Sequence, residues 1–157
     1  MNMTQMMPRS MVLGFLLALP LAASTVRIIQ TNSAGDNVSI IDPATNKVVG
    51  TISGIEVNHG AAAAPDGSRY YISNEGRSTL DVVDTKTLKI TRSIPLSGHP
   101  NNIGISKDGR RVYVSIAVAP GAVDVIDTGS LEKRRRLSSS SPRLRGEGGE
   151  HREMRAG

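Results

Sequence analysis

Tyr70–Asp84 reads YYISNEGRSTLDVVD. Forty-two residues earlier the chain writes IIQTNSAGDNVSIID at Ile28–Asp42, and further on VYVSIAVAPGAVDVID at Val112–Asp127, one residue longer. The columns agree within these phrases. Ile29-Gln30-Thr31-Asn32 falls over Tyr71-Ile72-Ser73-Asn74 and over Tyr113-Val114-Ser115-Ile116, and outside them Asp66-Gly67 falls over Asp108-Gly109. Self-similarity at this period marks a solenoid, a propeller or an array, and it decides the architecture before any local reading. The phase is lost at about Lys133, inside the third copy.

Each unit reads as four short strands separated by turn chemistry. In the third copy, Asn102–Ser106 is a first strand and Lys107-Asp108-Gly109-Arg110 a tight turn, because Asp-Gly tolerates the positive φ of short hairpin loops. Arg111–Ile116 alternates as a second strand, and Ala122–Thr128 follows as a third. The preceding copy supplies the pattern of the fourth, Lys89–Leu96. Both faces of these strands are apolar, as in sheets covered on both sides. Four antiparallel strands per unit is the blade of a β-propeller. No segment carries the 3.6-residue period of a long amphipathic helix, which excludes a leucine-rich or helical solenoid. The expected fold is all-β, an incomplete propeller of about two and a half blades over residues 25–132.

An Asp recurs at strand ends, at Asp42, Asp84 and Asp127. Its carboxylate can accept backbone N–H groups two or three residues on, closing an Asx-type turn. A residue at the same phase of every blade is scaffold rather than catalyst. Asp66-Gly67 and Asp108-Gly109 read the same way, as structural turns.

The order Tyr-x-Ser-Asn (71–74), LDVVDTKTLKI (80–90), IPLSGHP (94–100) and ISKDGRRVYV (105–114) resembles the YVTN family of β-propeller repeats, from about Val26 to Glu132. The name motif is best kept in the middle copy, YISN, and degenerate in IQTN and YVSI. The resemblance implies an extracellular or periplasmic propeller scaffold. Related propellers include the haem-d domain of periplasmic nitrite reductases and some lactonases.

Residues 1–24 read as a secretory signal peptide. Arg9 gives a positive start, Met11–Leu19 an apolar run, and Ala22-Ala23-Ser24 a small-residue cleavage site before Thr25. The run, broken at Pro20, is shorter than the ~20 residues of a membrane span. The expected location is therefore periplasmic or secreted, with no membrane association after cleavage. The chain has no Cys, which excludes thiol catalysis, iron–sulfur clusters and Cys-ligated zinc. After Ser24 the only aromatic residues are Tyr70, Tyr71 and Tyr113, too few for the stacking platforms of single-stranded nucleic acid or sugar binding.

The net charge of +5 lies wholly in residues 133–157, with eight Lys/Arg and three Asp/Glu; the rest is neutral, with eleven of each. Where the repeat calls for an apolar fourth strand, Lys133–Leu137 reads KRRRL. Low hydrophobicity and high charge predict a disordered basic tail over 133–157. An exported chain rarely meets nucleic acid, so no such partner is expected. The tail reads instead as unselected coding that replaced further blades, leaving a truncated copy.

In a propeller the first strand of each blade lines the central channel. Positions there that depart from the repeat are the candidate ligand contacts. His59 aligns with Asn101, and His99 and Asn102 flank it, so His59, His99, Asn101 and Asn102 form a candidate channel mouth. Imidazoles there suit a metal or a haem iron, or they cap turns and bridge blades. Glu56 and Glu75 are further departures, read as solvated loops. No nucleophile elbow, zinc helix, P-loop or dinucleotide fingerprint is present, and no catalytic residue or metal ligand set is assigned. The expected function is a non-catalytic binding scaffold for a small molecule or protein that the sequence does not name. The alternatives are a cofactor-binding propeller with haem or metal at the channel mouth, and a lactonase-like hydrolase. Uncovered blade edges make self-association a further expectation.

Overall fold

The computed structural model describes residues 26–138. The signal peptide read at 1–24 and the tail beyond Ser138 lie outside the described residues. Eleven strands follow in chain order: β1 Ile28–Asn32, β2 Asn37–Asp42, β3 Lys47–Ser53, β4 Asn58–Ala63, β5 Arg69–Asn74, β6 Thr79–Asp84, β7 Ile90–Pro95, β8 Pro100–Ile105, β9 Arg111–Ile116, β10 Ala122–Asp127 and β11 Glu132–Ser138. They form three sheets of sequential strands, β1-β2-β3, β4-β5-β6-β7 and β8-β9-β10-β11, here called blades 1, 2 and 3. Every pairing is antiparallel. By the repeat, β1 stands where β5 and β9 stand, so blade 1 has no inner strand among the described residues.

The turns explain why the strands end where they do. Asp84 Oδ1 accepts from the amides of Lys86 (3.0 Å) and Thr87 (2.8 Å), and Asp127 Oδ1 from those of Gly129 (3.1 Å) and Ser130 (2.9 Å). Asp42 holds the amide of Ala44 at 3.1 Å. Each turn then closes through a residue in the left-handed region, Asn46, Leu88 or Leu131, with φ of 54°, 55° and 54°. In the Asp-Gly hairpins only the glycine takes positive φ, +71° at both Gly67 and Gly109. The aspartates do not take positive φ, and Ala63 pairs with Tyr70, so the connection is longer than a two-residue hairpin turn; within it Asp66 accepts the Ser68 amide at 2.9 Å.

A one-residue register shift recurs in each outer hairpin, between Ile40 and Ile41, Val82 and Val83, and Val125 and Ile126. Such bulges add twist, which stacked blades require. Two apolar cores lie between the sheets. Val38, Ile40 and Ile52 of blade 1 meet Ile72 and Val83 of blade 2. Tyr71, Leu80, Val82 and Ile94 of blade 2 meet Val112, Val114, Ile116 and Ile126 of blade 3. Burying each such side chain contributes roughly 2 kcal/mol.

One expectation is corrected. Glu132–Ser138 is not the start of a disordered tail but the fourth strand of blade 3, paired with β10 along its length. Residues 133–138 therefore belong to the propeller, and blade 3 has four strands. The physical reason is position. The outermost strand of a blade is an edge, where main-chain pairing suffices and charged side chains reach solvent. Lys133 reaches Asp124 (3.7 Å), Arg134 reaches Asp127 (4.0 Å), and Leu137 keeps the apolar place held by Ile94 one blade earlier.

Candidate functional site

The inner strands β4 and β8 pack side by side. Each is interrupted at the same place. In β4, Asn58 pairs with Asn74 and Ala61 with Ile72, so His59 and Gly60 together face the single residue Ser73. In β8, Pro100 pairs with Ile116 and Ile103 with Val114, so Asn101 and Asn102 face Ser115. Three of the four candidate residues, His59, Asn101 and Asn102, thus sit in a repeated β-bulge, the device by which a sheet re-aims side chains.

A serine hydroxyl organises each bulge. Ser73 Oγ accepts from the Gly60 amide (2.8 Å) and donates to the Asn101 carbonyl of the next blade (2.8 Å). Thr31, one repeat earlier, donates to the His59 carbonyl at 3.0 Å in the same way. The backbones approach so closely that a Cβ on Gly60 would lie 2.8 Å from the Ile103 nitrogen and 2.9 Å from the Asn101 oxygen. Only glycine fits there. Asn58, fully buried beside His59, donates to the carbonyls of Ile55 (2.8 Å) and Asn37 (3.1 Å) and ties blade 2 to blade 1. Val57, the residue before it, takes a φ of 47°. That is a strained choice for a β-branched side chain, placed next to the candidate site.

Glu75 completes the arrangement. It lies in the loop after β5, where its amide donates to the Val57 carbonyl at 3.3 Å. Its carboxylate contacts both histidines: Oε2 is 2.5 Å from His59 Nε2, and Oε1 is 3.5 Å from His99 Nδ1. A carboxylate can only accept, so His59 Nε2 carries a proton toward it. Ser33 Oγ lies 3.4 Å from His59 Nδ1 and donates to the Asn58 carbonyl at 2.7 Å. The side chain of His59 is 28 % exposed and that of His99 63 %. Two imidazoles from successive blades are therefore clasped by one carboxylate at one rim. Asn102 is exposed and Asn101 half-buried, and the junction uses their main-chain carbonyls, at Ser115 (3.0 Å) and Ser73.

Sequence reading missed the role of Glu75, which it took for a solvated loop. Its signal was its chain position, directly after the Tyr-x-Ser-Asn strand whose bulge partner is His59. Glu56 does behave as an outer loop charge, paired with Arg77 at 2.9 Å. Among the described residues no group of three His, Asp or Glu is arranged to hold a metal ion. Titration shifts mark the aspartate turns. Asp84 and Asp127 are held below the usual carboxylate range chiefly by the amides of Thr87 and Ser130. Asp66 is lowered chiefly by the Ser68 amide, and Asp108 chiefly by the Ser106 hydroxyl.

No family model matches the chain. Among curated proteins it is similar to antigen Lp49 of Leptospira interrogans, 30 % identical over 83 residues, covering 53 % of this chain and 18 % of that protein. It is similar also to the uncharacterized protein YncE of Salmonella typhimurium, 22 % identical over 102 residues, covering 65 % and 29 %. Among solved structures it resembles Kuenenia stuttgartiensis hydrazine synthase, with a TM-score of 0.70 and 27 % identity, covering 82 % of this chain and 40 % of that one. Dihydro-heme d1 dehydrogenase NirN in complex with DHE follows at 0.59 and 21 %, covering 71 % and 24 %, and apo AztD from Citrobacter koseri at 0.59 and 18 %, covering 73 % and 32 %. The chain spans less than a third of these curated relatives. With the three antiparallel sheets, the structural likenesses establish the fold as β-propeller blades.

Proposed function

We propose that this chain is an exported, non-catalytic propeller-repeat protein of the YVTN type, and that it binds a ligand or protein partner at the rim formed by His59, His99, Asn101 and Asn102. One observation carries the reading: Glu75 joins His59, in the bulge of β4, to His99, which directly precedes β8 of the next blade. The rest of the repeated polar set, the aspartate turns and the Ser/Thr junction bonds, is consumed by the scaffold itself. The exposed His99 ring, the partly exposed His59 ring and the exposed Asn102 suit a polar ligand that both donates and accepts hydrogen bonds.

The cofactor reading rests on His99, whose exposed ring could ligate a haem iron. The hydrolase reading is weaker, because Glu56 and Glu75, the carboxylates it needs, are engaged with Arg77 and the histidines. Side-chain NMR of His59 and His99 during titration with a polar metabolite library tests the proposal. Binding should perturb both rings together, and His59→Ala or His99→Ala should weaken it at least tenfold with little loss of thermal midpoint. Binding that leaves both rings unmoved would overturn it. A Soret band formed on adding haem, and lost in His99→Ala, would favour the cofactor reading instead.

A further inference from the structure

The two outer faces of the three-blade stack carry, in exposed form, the residues that inside the stack are buried. Tyr71 on the face of blade 2 is 2 % exposed, covered by blade 3; Tyr113, the same repeat position on blade 3, is 37 % exposed. Val112, on the opposite face of blade 3, is fully buried against blade 2; its counterpart on blade 1, Ile28, is 46 % exposed. Tyr71 and Val112 belong to one core. The molecule thus displays at its two ends the two halves of a junction it already makes internally.

The polar part of that junction is displayed as well. Arg69 on blade 2 donates to the Thr128 carbonyl of blade 3 at 3.4 Å. Arg111 stands at the position of Arg69, and Pro43 at the position of Thr128. The open face of blade 3 holds a groove of about 500 Å³ lined by Arg111, Tyr113, Val125, Asp127, Arg134 and Leu137. At the other end, Val48 stands on the edge strand β3, where Ile90 of blade 2 packs against the core with blade 1.

We infer that the open face of blade 3 docks on the open face of blade 1 of a second copy of this chain, so that two copies close a six-blade ring. The occupant follows from the repeat: the surface that fits the face of blade 3 is a blade of this same kind, and blade 1 presents its three outer strands, without an inner strand among the described residues. Two copies supply six such sheets among the described residues, a number within the 4–8 blades of closed propellers. Both junctions are then equivalent about a two-fold axis, which gives a finite assembly. Face-to-face stacking of apolar sheets supplies the driving force, as between blades 2 and 3.

The test is the mass of the full chain in solution by light scattering, with variants on each face. The wild type should run at twice the chain mass. Tyr113→Asp, which spoils blade 3, and Ile28→Asp, which spoils blade 1, should each shift it to the single-chain mass. Mixing the two variants should restore a two-chain species, because one junction then joins two intact faces. Retained amide protection in β5 and β6 shows that the variants still fold; Leu137→Asp and Val48→Asp replace any that do not. A wild-type monomer would overturn the inference, including one in which residues outside 26–138 cover Tyr113. So would sensitivity to only one of the two faces, which means like-to-like pairing. A mixture that stays monomeric, or a wild-type mass rising beyond two chains, would also overturn it.

Discussion

Blades 2 and 3 solve the same problem with different residues. Each buries an aspartate in its third strand, Asp81 in one and Asp124 in the other. In blade 2 the carboxylate is satisfied within the sheet: Asn74, the last residue of the Tyr-x-Ser-Asn strand, donates to it at 2.8 Å and Thr79 at 3.0 Å. In blade 3 the asparagine has become Ile116, which packs in the core. Asp124 turns instead to the link between the blades, where the Ser97 amide and hydroxyl both donate at 2.7 Å, and to Lys133 at 3.7 Å. A degenerate motif is therefore not a failed blade. Loss of the asparagine moved the polar contact from inside a sheet to the joint between two sheets, and it gave a function to a lysine that composition alone assigns to a tail.

The sharpest way to break that comparison is to remove the carboxylates. Asp124→Ala strips the partner from exposed Lys133 and from the half-buried Ser97 amide and hydroxyl, and should cost about 2–3 kcal/mol in urea unfolding. Asp81→Ala, which leaves only neutral donors behind, should cost about 2 kcal/mol. Hydrogen exchange should show the difference in place: loss of Asp124 exposes the amides of β11, and loss of Asp81 leaves β11 protected. Equal costs with β11 unaffected would mean that the joint does not depend on Asp124.

The serines offer a second contrast at lower cost. Ser73 bonds its own blade and the next, whereas Ser115 bonds only Asn102 of its own. Ser73→Ala should therefore cost about 2 kcal/mol and Ser115→Ala under about 1 kcal/mol. Identical thermal midpoints for the two variants would place the inter-blade bond among contacts of no consequence.

The smallest effect expected is one the two blades share. Asp84 and Asp127 have depressed pKa values, so the stability they add is present above the ordinary carboxylate pKa and lost as pH falls through their lower folded values. The thermal midpoint should hold from neutrality to about pH 4 and then decline. Asp84→Ala should lower the midpoint at pH 7, flatten part of the acid decline, and leave binding at the rim intact. Because these groups are solvent-exposed, each effect should be modest.

Where the candidate residues stand in the fold was legible because phase is legible. A fixed period places His59 and Asn101 at the same point of successive inner strands, and adjacent inner strands lie side by side. The bulge was not legible, since two residues facing one leave no mark in spacing when every copy carries the same irregularity. Glu75 was not legible for a related reason: a loop charge looks solvated until the strand across from it is known to turn a histidine toward it. Strand β11 was misjudged because low hydrophobicity predicts disorder for a segment that must bury both faces, and an outer strand need not.

By itself, the chain's forty-two-residue period determined four-stranded blades, their turns and their stacking order, because hairpins and Asx turns form between near neighbours and each copy repeats the same local instructions. What only the tertiary structure decided lies at the contacts between copies. These are the grip of Glu75 on two histidines, the move of Asp124 to Ser97 and Lys133, and the exposure of Tyr113 where Tyr71 is buried. Those depend on which surface arrives opposite a residue, and two identical stretches of sequence meet different surfaces when one has a blade beyond it and the other has none among the described residues.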